Sequence, residues 1–155
     1  MDLFSLDALD IVLKLLLSLS LGLFIGLQRS LAHKIAGMRT FALVSMGSCL
    51  FVLVAEYTRS HLGANISDSV RLASQIVVGV GFLGAGLIVF KDNTIMGLTT
   101  ASGLWVSSGI GIAVGFGFLG MAIIATFLTF AVFSALWYVE EEVRKAYERT
   151  GHKAE

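Results

Sequence analysis

The sequence predicts an all-α membrane protein, a bundle of about five transmembrane helices. Hydrophobic residues make up 56% of the 155 residues, whereas charged residues make up only 14%. A soluble domain usually carries about 25% charged residues, and a small soluble core cannot enclose this much apolar surface. The apolar residues also fall in stretches that are long enough to cross a bilayer. We therefore expect most of the protein's surface to face lipid.

Five mostly apolar stretches of about 20 residues, the length that a transmembrane helix needs, follow one another along the chain. They cover residues 8–27, 38–57, 72–90, 98–115 and 118–138. The last two stretches are so close that we expect a tight turn at Gly115–Gly117. An alternative is four spans with a re-entrant segment. The predicted organisation is a transmembrane domain over 1–138 and a short cytoplasmic helical tail over 139–155.

The tail carries charge pairs at helical i,i+4 spacing, Glu140 with Arg144 and Glu141 with Lys145, which predict that the last helix extends into water. Positively charged residues also set the expected orientation, because they favour cytoplasmic loops. Eight lie on one side, whereas only Arg59 and Arg71 lie on the other; the eight are Arg29, Lys34, Arg39, Lys91, Arg144, Lys145, Arg149 and Lys153. This bias predicts an N-terminus outside and a C-terminus in the cytoplasm.

The composition also excludes several classes of function. The formal net charge is zero, so we expect no nucleic-acid partner. Cys49 is the single cysteine, which excludes an internal disulfide and a cysteine metal site. The first helix is preceded by acidic residues rather than basic ones, so we expect it to be a membrane span and not a signal peptide. No cofactor or metal is predicted.

The chain resembles itself at an offset of 60 residues. Six of the eighteen positions 23–40 are identical to their counterparts; they are Leu23, Gly26, Leu27, Ile35, Gly37 and Thr40, matching Leu83, Gly86, Leu87, Ile95, Gly97 and Thr100. The match predicts two helical hairpins of the same topology, related by an axis along the membrane normal. A chance match between glycines is the alternative.

Seventeen glycines and no proline predict close helix packing, because small residues let helix backbones approach. The G-x-G-x-x-G pattern at 79–84 lies within a span, so it is not a dinucleotide-binding turn. The predicted packing positions are Gly22, Gly26, Gly81, Gly84, Gly86, Gly111 and Gly115. These faces can meet within one chain or, in a homo-oligomer, between chains.

Two polar clusters are candidates for function, since polar groups in a membrane are costly. If the first and third helices pack together, the outer cluster contains Asp10, Lys14, Arg71 and Gln75; the alternative is a snorkelling Lys14 paired with Asp10. The second and fourth helices begin on the cytoplasmic side, and helix N-termini suit anions. The predicted anion site there comprises Arg29, Arg39, Thr40, Thr99 and Thr100. It would take a lipid headgroup or an acidic side chain of a partner.

Two alternatives weaken that anion site. The threonines can be plain helix caps and the arginines ordinary cytoplasmic charges. A nearby carboxylate such as Asp92 would reduce the site to a structural salt bridge.

Several motifs together resemble the MgtC/SapB membrane family. They are GLQRS at 26–30, AGMRT at 36–40, RLASQIVVGVGFLGAG at 71–86 and GLTTASGLW at 97–105. The resemblance implies a bacterial inner-membrane protein, associated with adaptation to low magnesium and survival inside host cells. It also implies that the characteristic polar positions are Arg29, Arg39, Thr40, Arg71, Gln75, Thr99 and Thr100.

The chain departs from the family in two places. Gln28-Arg29-Ser30 stands where the family usually has Glu-Arg-Glu, so both carboxylates are replaced. Many members also carry a soluble C-terminal domain, and we expect regulation through such a domain to be absent here.

The favoured function is a small regulator that acts through helix contacts on a partner protein in the same lipid bilayer. The resemblance implies such modulation of other membrane machines. The alternative is a small ion transporter or channel. We do not expect an enzyme, since the spans contain no evident pair of nucleophile and base.

Overall fold

A computed structural model describes residues 6–62, 66–91 and 93–149. In chain order these form α1 (Leu6–Leu31), α2 (Met38–Leu62), α3 (Ile66–Ala85), β1 (Val89–Lys91), β2 (Thr94–Met96), α4 (Leu98–Gly115) and α5 (Leu119–Arg149). The predicted all-α bundle is confirmed. Over the described residues, four helices (α1, α2, α4 and α5) are long and apolar enough to cross a membrane.

The third predicted span is wrong at its C-terminal end. The helix ends at Ala85 rather than Phe90, and the chain then forms an antiparallel hairpin in which Phe90 pairs with Ile95. Hydropathy gives no signal for this hairpin, because its strands are as apolar as a helix. The hairpin turns at Asn93, which adopts a positive φ of 62°. We call the end of the bundle that carries this hairpin the hairpin end.

The α4 helix is the centre of the bundle, since it packs against each of the other four helices. Its glycines explain how it can do so. A Cβ at Gly111 would overlap the backbone of Ser45, and a Cβ at Gly115 would lie 2.7 Å from the Cβ of Val52. Both contacts are with α2, so these two glycines set the approach of α2 to α4.

The other predicted packing glycines divide into three groups. Gly22 and Gly26 lie at close helix contacts, because a Cβ at either position would lie 2.6 Å from backbone atoms of Phe41 or Met38 on α2. Gly84 makes only an ordinary contact with Ala101 of α4. Gly81 and Gly86 are corrections: Gly81 has open space beside it, and Gly86 faces only the carbonyls of the preceding turn. Gly81 therefore faces away from the bundle, whereas Gly86 lies just after the end of α3.

The geometry supports the internal repeat. Ser48 of α2 and Ser108 of α4, which are 60 positions apart, hydrogen-bond each other at 2.8 Å. The first backbone bonds of the two helices also correspond, with Phe41 N–H donating to Gly37 O at 3.1 Å and Ala101 N–H donating to Gly97 O at 2.9 Å. A contact between a residue and its own repeat counterpart is what an axis between α2 and α4 requires.

The predicted tight turn between the last two helices is confirmed. Gly117 has a φ of 83°, and its N–H donates to Val114 O while Phe118 N–H donates to Ala113 O. This pair of bonds is the Schellman arrangement that ends a helix at a left-handed glycine.

The last helix continues beyond the predicted span, since α5 extends to Arg149. The side chains of Glu140, Glu141 and Arg144, on which the predicted tail pairs depend, lie outside the described residues. Lys145 lies 3.5 Å from Glu142.

A candidate anion site at the end of α1

Three consecutive residues at the end of α1 join it to three different helices. Gln28 Nε2 donates to Phe133 O of α5 at 3.0 Å, and Arg29 Nη2 donates to Thr100 Oγ1 of α4 at 3.0 Å. Ser30 Oγ accepts a hydrogen bond from Met38 N–H at the start of α2, also at 3.0 Å. Successive side chains on a helix point about 100° apart, which is why neighbours in sequence reach separate helices. We call Gln28, Arg29 and Ser30 the α1 corner.

Arg29 is the central charge of the α1 corner and is only 4% exposed. Its guanidinium carbon lies 4.3 Å from the ring centroid of Phe133, a distance typical of a cation–π contact. Among the described residues no carboxylate forms an ion pair with it. Its Nε and the neighbouring Gln28 Oε1 are buried and have no hydrogen-bond partner in the described part of the chain. The α1 corner therefore offers an unused donor and an unused acceptor beside a buried positive charge.

Only part of the predicted anion site comes together. Arg29 and Thr100 are joined, whereas Arg39 and Thr99 are exposed and Thr40 is half-buried. No hydrogen bond between described residues links these three side chains to Arg29. Thr99 and Thr100 cannot both face the bundle, because they are adjacent on one helix. Asp92, the predicted internal partner, lies outside the described residues.

The predicted capping by threonine is not observed at α4. Its N-cap is Gly97, which has a φ of 94° and no side-chain cap. At α2 the hydroxyl that bonds the first N–H comes from Ser30, on the preceding helix. Gln28 and Ser30 thus have structural contacts that the sequence reasoning missed, although both lie in the quoted GLQRS motif. Phe133 carried no signal in the sequence.

The predicted outer cluster does not form one hydrogen-bonded group. Lys14 pairs with Asp10 at 2.7 Å within α1, and Arg71 pairs with Asp68 at 3.2 Å within α3. No hydrogen bond or ion pair between described residues joins the first pair to Arg71 or Gln75. This is the arrangement expected of a snorkelling lysine with a local carboxylate.

Hydroxyl groups line the interior of the bundle. The fully or almost fully buried members are Ser18, Ser45, Ser48, Ser69, Thr100, Ser107, Ser108 and Thr126. Ser107 Oγ donates to Phe41 O at 3.0 Å, whereas Ser45 Oγ has no partner among the described residues. The described part of the chain contains no group of three or more His, Cys, Asp or Glu side chains that could hold a metal ion.

Comparison with known proteins places most of the chain in one sequence group. The model of the MgtC family matches residues 15–142. An uncharacterized protein of Haemophilus influenzae is 46% identical over 80% of this chain and 54% of its own length. The putative magnesium transporter YhiD of Escherichia coli is 40% identical over 70% of this chain and 52% of its own, and MgtC of Salmonella typhimurium is 40% identical over 76% and 48%. The chain therefore spans about half the length of these relatives. No solved structure matches it significantly.

Proposed function

This chain belongs to the MgtC family, and from that membership we propose that it is a small regulator of the bacterial inner membrane. It acts by binding an acidic group of a partner membrane protein at the α1 corner, in adaptation to low magnesium. The hairpin end faces the cytoplasm and the N-terminus lies outside, in keeping with the bias of lysine and arginine. The chain works by binding rather than by catalysis.

The observation that carries this proposal is the buried Arg29 guanidinium, whose Nε has no hydrogen-bond partner among the described residues. An ion that leaves water without a counter-charge costs several kcal/mol, which the hydrogen bond to Thr100 and the ring of Phe133 offset only in part. An arginine kept at such a cost inside a membrane protein is a candidate for function. A carboxylate matches the planar donors of a guanidinium better than a neutral group does.

Two features beside Arg29 support access by a partner. Gln28 lines a groove between α1 and α5, with a volume of about 400 Å³ and walls that include Phe24 and Phe130. The N-termini of α2 and α4 also lie at this end of the bundle, and the positive ends of their dipoles attract anions. A helix in the groove would bring an acidic side chain towards Arg29 Nε–H, a donor with no partner among the described residues.

The test uses an Arg29→Lys variant, because a lysine amine couples to a touching carboxylate under a carbodiimide while an arginine does not. Membranes that contain the variant are treated with the reagent, and mass spectrometry identifies the peptide joined to position 29. The proposal expects a carboxylate of another protein. A link to Asp92 of the same chain, or no link, would contradict it. Arg39→Lys, at an exposed position near the same end, is the matched control for non-specific coupling.

A second variant separates binding from folding. Arg29→Met removes the charge and keeps much of the side-chain volume, and apolar replacement of a buried charge is often neutral or stabilising. We expect the variant to fold but to lose the partner. A folded Arg29→Met protein that still recovers the partner would contradict the proposal, and unfolding of Arg29→Met together with no cross-link in Arg29→Lys would assign Arg29 a purely structural role.

Transport of an ion is the second candidate function. It is favoured by the name of the Escherichia coli relative, a putative magnesium transporter, and by the buried hydroxyls between α2 and α4. Purified protein in liposomes that contain a magnesium-sensitive dye distinguishes the two functions. The regulator hypothesis expects the same magnesium flux as in protein-free liposomes. A flux that depends on the protein and is lost in Ser45→Val would favour transport.

A further inference from the structure

A groove between α2 and α3 opens on the side of the bundle away from α5. Its volume is about 510 Å³, and its walls are almost entirely apolar. The residues that line it include three from each helix: Leu43, Gly47 and Phe51 on α2, and Leu72, Gln75 and Gly79 on α3. We call it the α2–α3 groove. In a membrane protein such a surface is covered by lipid or by another helix.

The glycines of the α2–α3 groove differ from those of the bundle interior. A Cβ at Gly111 or Gly115 would overlap atoms of α2, so the fold itself requires glycine there. At Gly47 and Gly79 a Cβ would meet no heavy atom of the described residues within 4 Å, apart from the nearby backbone of its own helix. The packing within the chain therefore gives no reason for a small residue at either position. The packing of a helix from outside the chain would explain these glycines, since small residues let helix backbones approach closely.

Gln75 favours a polypeptide over a lipid chain as the occupant. Its side chain is exposed in the groove and has no hydrogen-bond partner among the described residues. It lies one turn, about 6 Å, deeper than Arg71 along the helix. A polar amide that faces hydrocarbon is costly unless it is hydrogen-bonded, and an acyl chain offers no partner.

A second copy of the chain satisfies these requirements. Copies in one membrane share their orientation, so a two-fold axis between them runs along the membrane normal and places each residue opposite its own counterpart. An amide carries both a donor and an acceptor, so Gln75 can pair with itself at its own depth. Arg71, one turn away, is bonded to Asp68 at 3.2 Å, so ion pairs rather than bare cations approach each other there.

We propose that this chain forms a parallel homodimer in which each α3 lies in the α2–α3 groove of the other copy. The amides of the two Gln75 residues hydrogen-bond each other, and the two Gly79 positions form the closest backbone contact. This surface is distinct from the α1 corner. A failed test of the dimer would therefore leave the function proposed above unaffected, and a failed test of that function would leave the dimer unaffected.

Disulfide cross-linking in native membranes tests the surface directly. The parent is Cys49→Ala, which removes the single cysteine. Into it we place Gly79→Cys and, as a control on a lipid-facing surface of α5, Phe127→Cys, whose native side chain is 61% exposed. Under a mild oxidant we expect at least tenfold more cross-linked dimer from Gly79→Cys. Equal yields, or a cross-link from Gly79→Cys to a different protein, would overturn the proposal.

Gln75→Leu tests the hydrogen bond and guards against a folding artefact. The variant should keep its melting temperature in detergent, because Gln75 bonds nothing in the described part of its own chain. Its dimer dissociation constant in lipid, measured by fluorescence energy transfer on dilution, should rise at least tenfold. An unchanged dissociation constant, or a protein that is monomeric at every density in lipid, would refute the role of Gln75 and of the groove.

Discussion

The contact between Gly111 and Ser45 gives a quantitative prediction about the centre of the bundle. In Gly111→Ala the new Cβ would lie 2.8 Å from the carbonyl carbon of Ser45 and 3.1 Å from its Cα, with the carbonyl oxygen closer still. All three are backbone atoms of a helix, so none can move alone. Because carbon atoms pack at about 3.5–4.0 Å, α2 and α4 have to separate by about 0.7 Å or more.

The cost of that separation can be worked out from what lies beside it. Overpacking a close contact costs about 1–3 kcal/mol. The separation also stretches the bond between Ser48 and Ser108 and the bond from Ser107 to Phe41 O, now 2.8 and 3.0 Å, and such bonds in membrane proteins contribute about 0.6 kcal/mol each. We expect Gly111→Ala to lower the free energy of unfolding by about 2–4 kcal/mol.

Gly109→Ala is the matched control, two residues away on the same helix. No heavy atom lies within 4 Å of the position its Cβ would take. Both variants gain the same intrinsic helix propensity, about 0.5–1 kcal/mol, so their difference reports the steric contact alone. The measurement is unfolding in mixed detergent micelles by circular dichroism. If the two variants unfold at the same denaturant concentration, the close approach of α2 and α4 is wrong.

Two further predictions rest on single contacts, and a third rests on the predicted topology. Gly84→Ala should be tolerated, because its Cβ would lie 3.7 Å from Ala101, whereas Gly84→Leu should lose about 1–3 kcal/mol; equal melting temperatures would place Gly84 against lipid. Ser30→Ala should cost about 1 kcal/mol because it removes the bond to Met38 N–H, whereas Ser60→Ala, at an exposed hydroxyl, should cost almost nothing. Cysteines introduced by Arg59→Cys and Lys145→Cys should label from opposite sides of the membrane, and labelling from the same side would reject the topology.

The sequence could predict the number of helices and most of their bounds, because a bilayer sets the length of an apolar span. It could also predict the repeat, since Gly37 and Gly97 stand 60 positions apart and each supplies the carbonyl for the first bond of its helix. The interior glycines Gly22 and Gly111 were predictable for the same kind of reason. A small residue in a long apolar stretch favours a close helix contact.

The site was only half predictable. The motif around Arg29 indicated a functional corner, and Thr100 was correctly placed beside it. Phe133 was not found, because an aromatic residue in an apolar span looks the same whether it faces lipid or a guanidinium. Gln28 and Ser30 appeared only as departures from a family pattern, although each supplies a contact between helices.

The amino-acid sequence by itself determined that this protein is a bundle of membrane helices with most of its lysine and arginine residues at one end. Only the tertiary structure decided which face of each helix is inside. Lipid and protein core are both apolar, so hydropathy cannot distinguish Gly81, which has open space beside it, from Gly115, which touches Val52. That choice depends on how the helices cross, and the crossing is fixed by contacts between residues that are far apart in the chain.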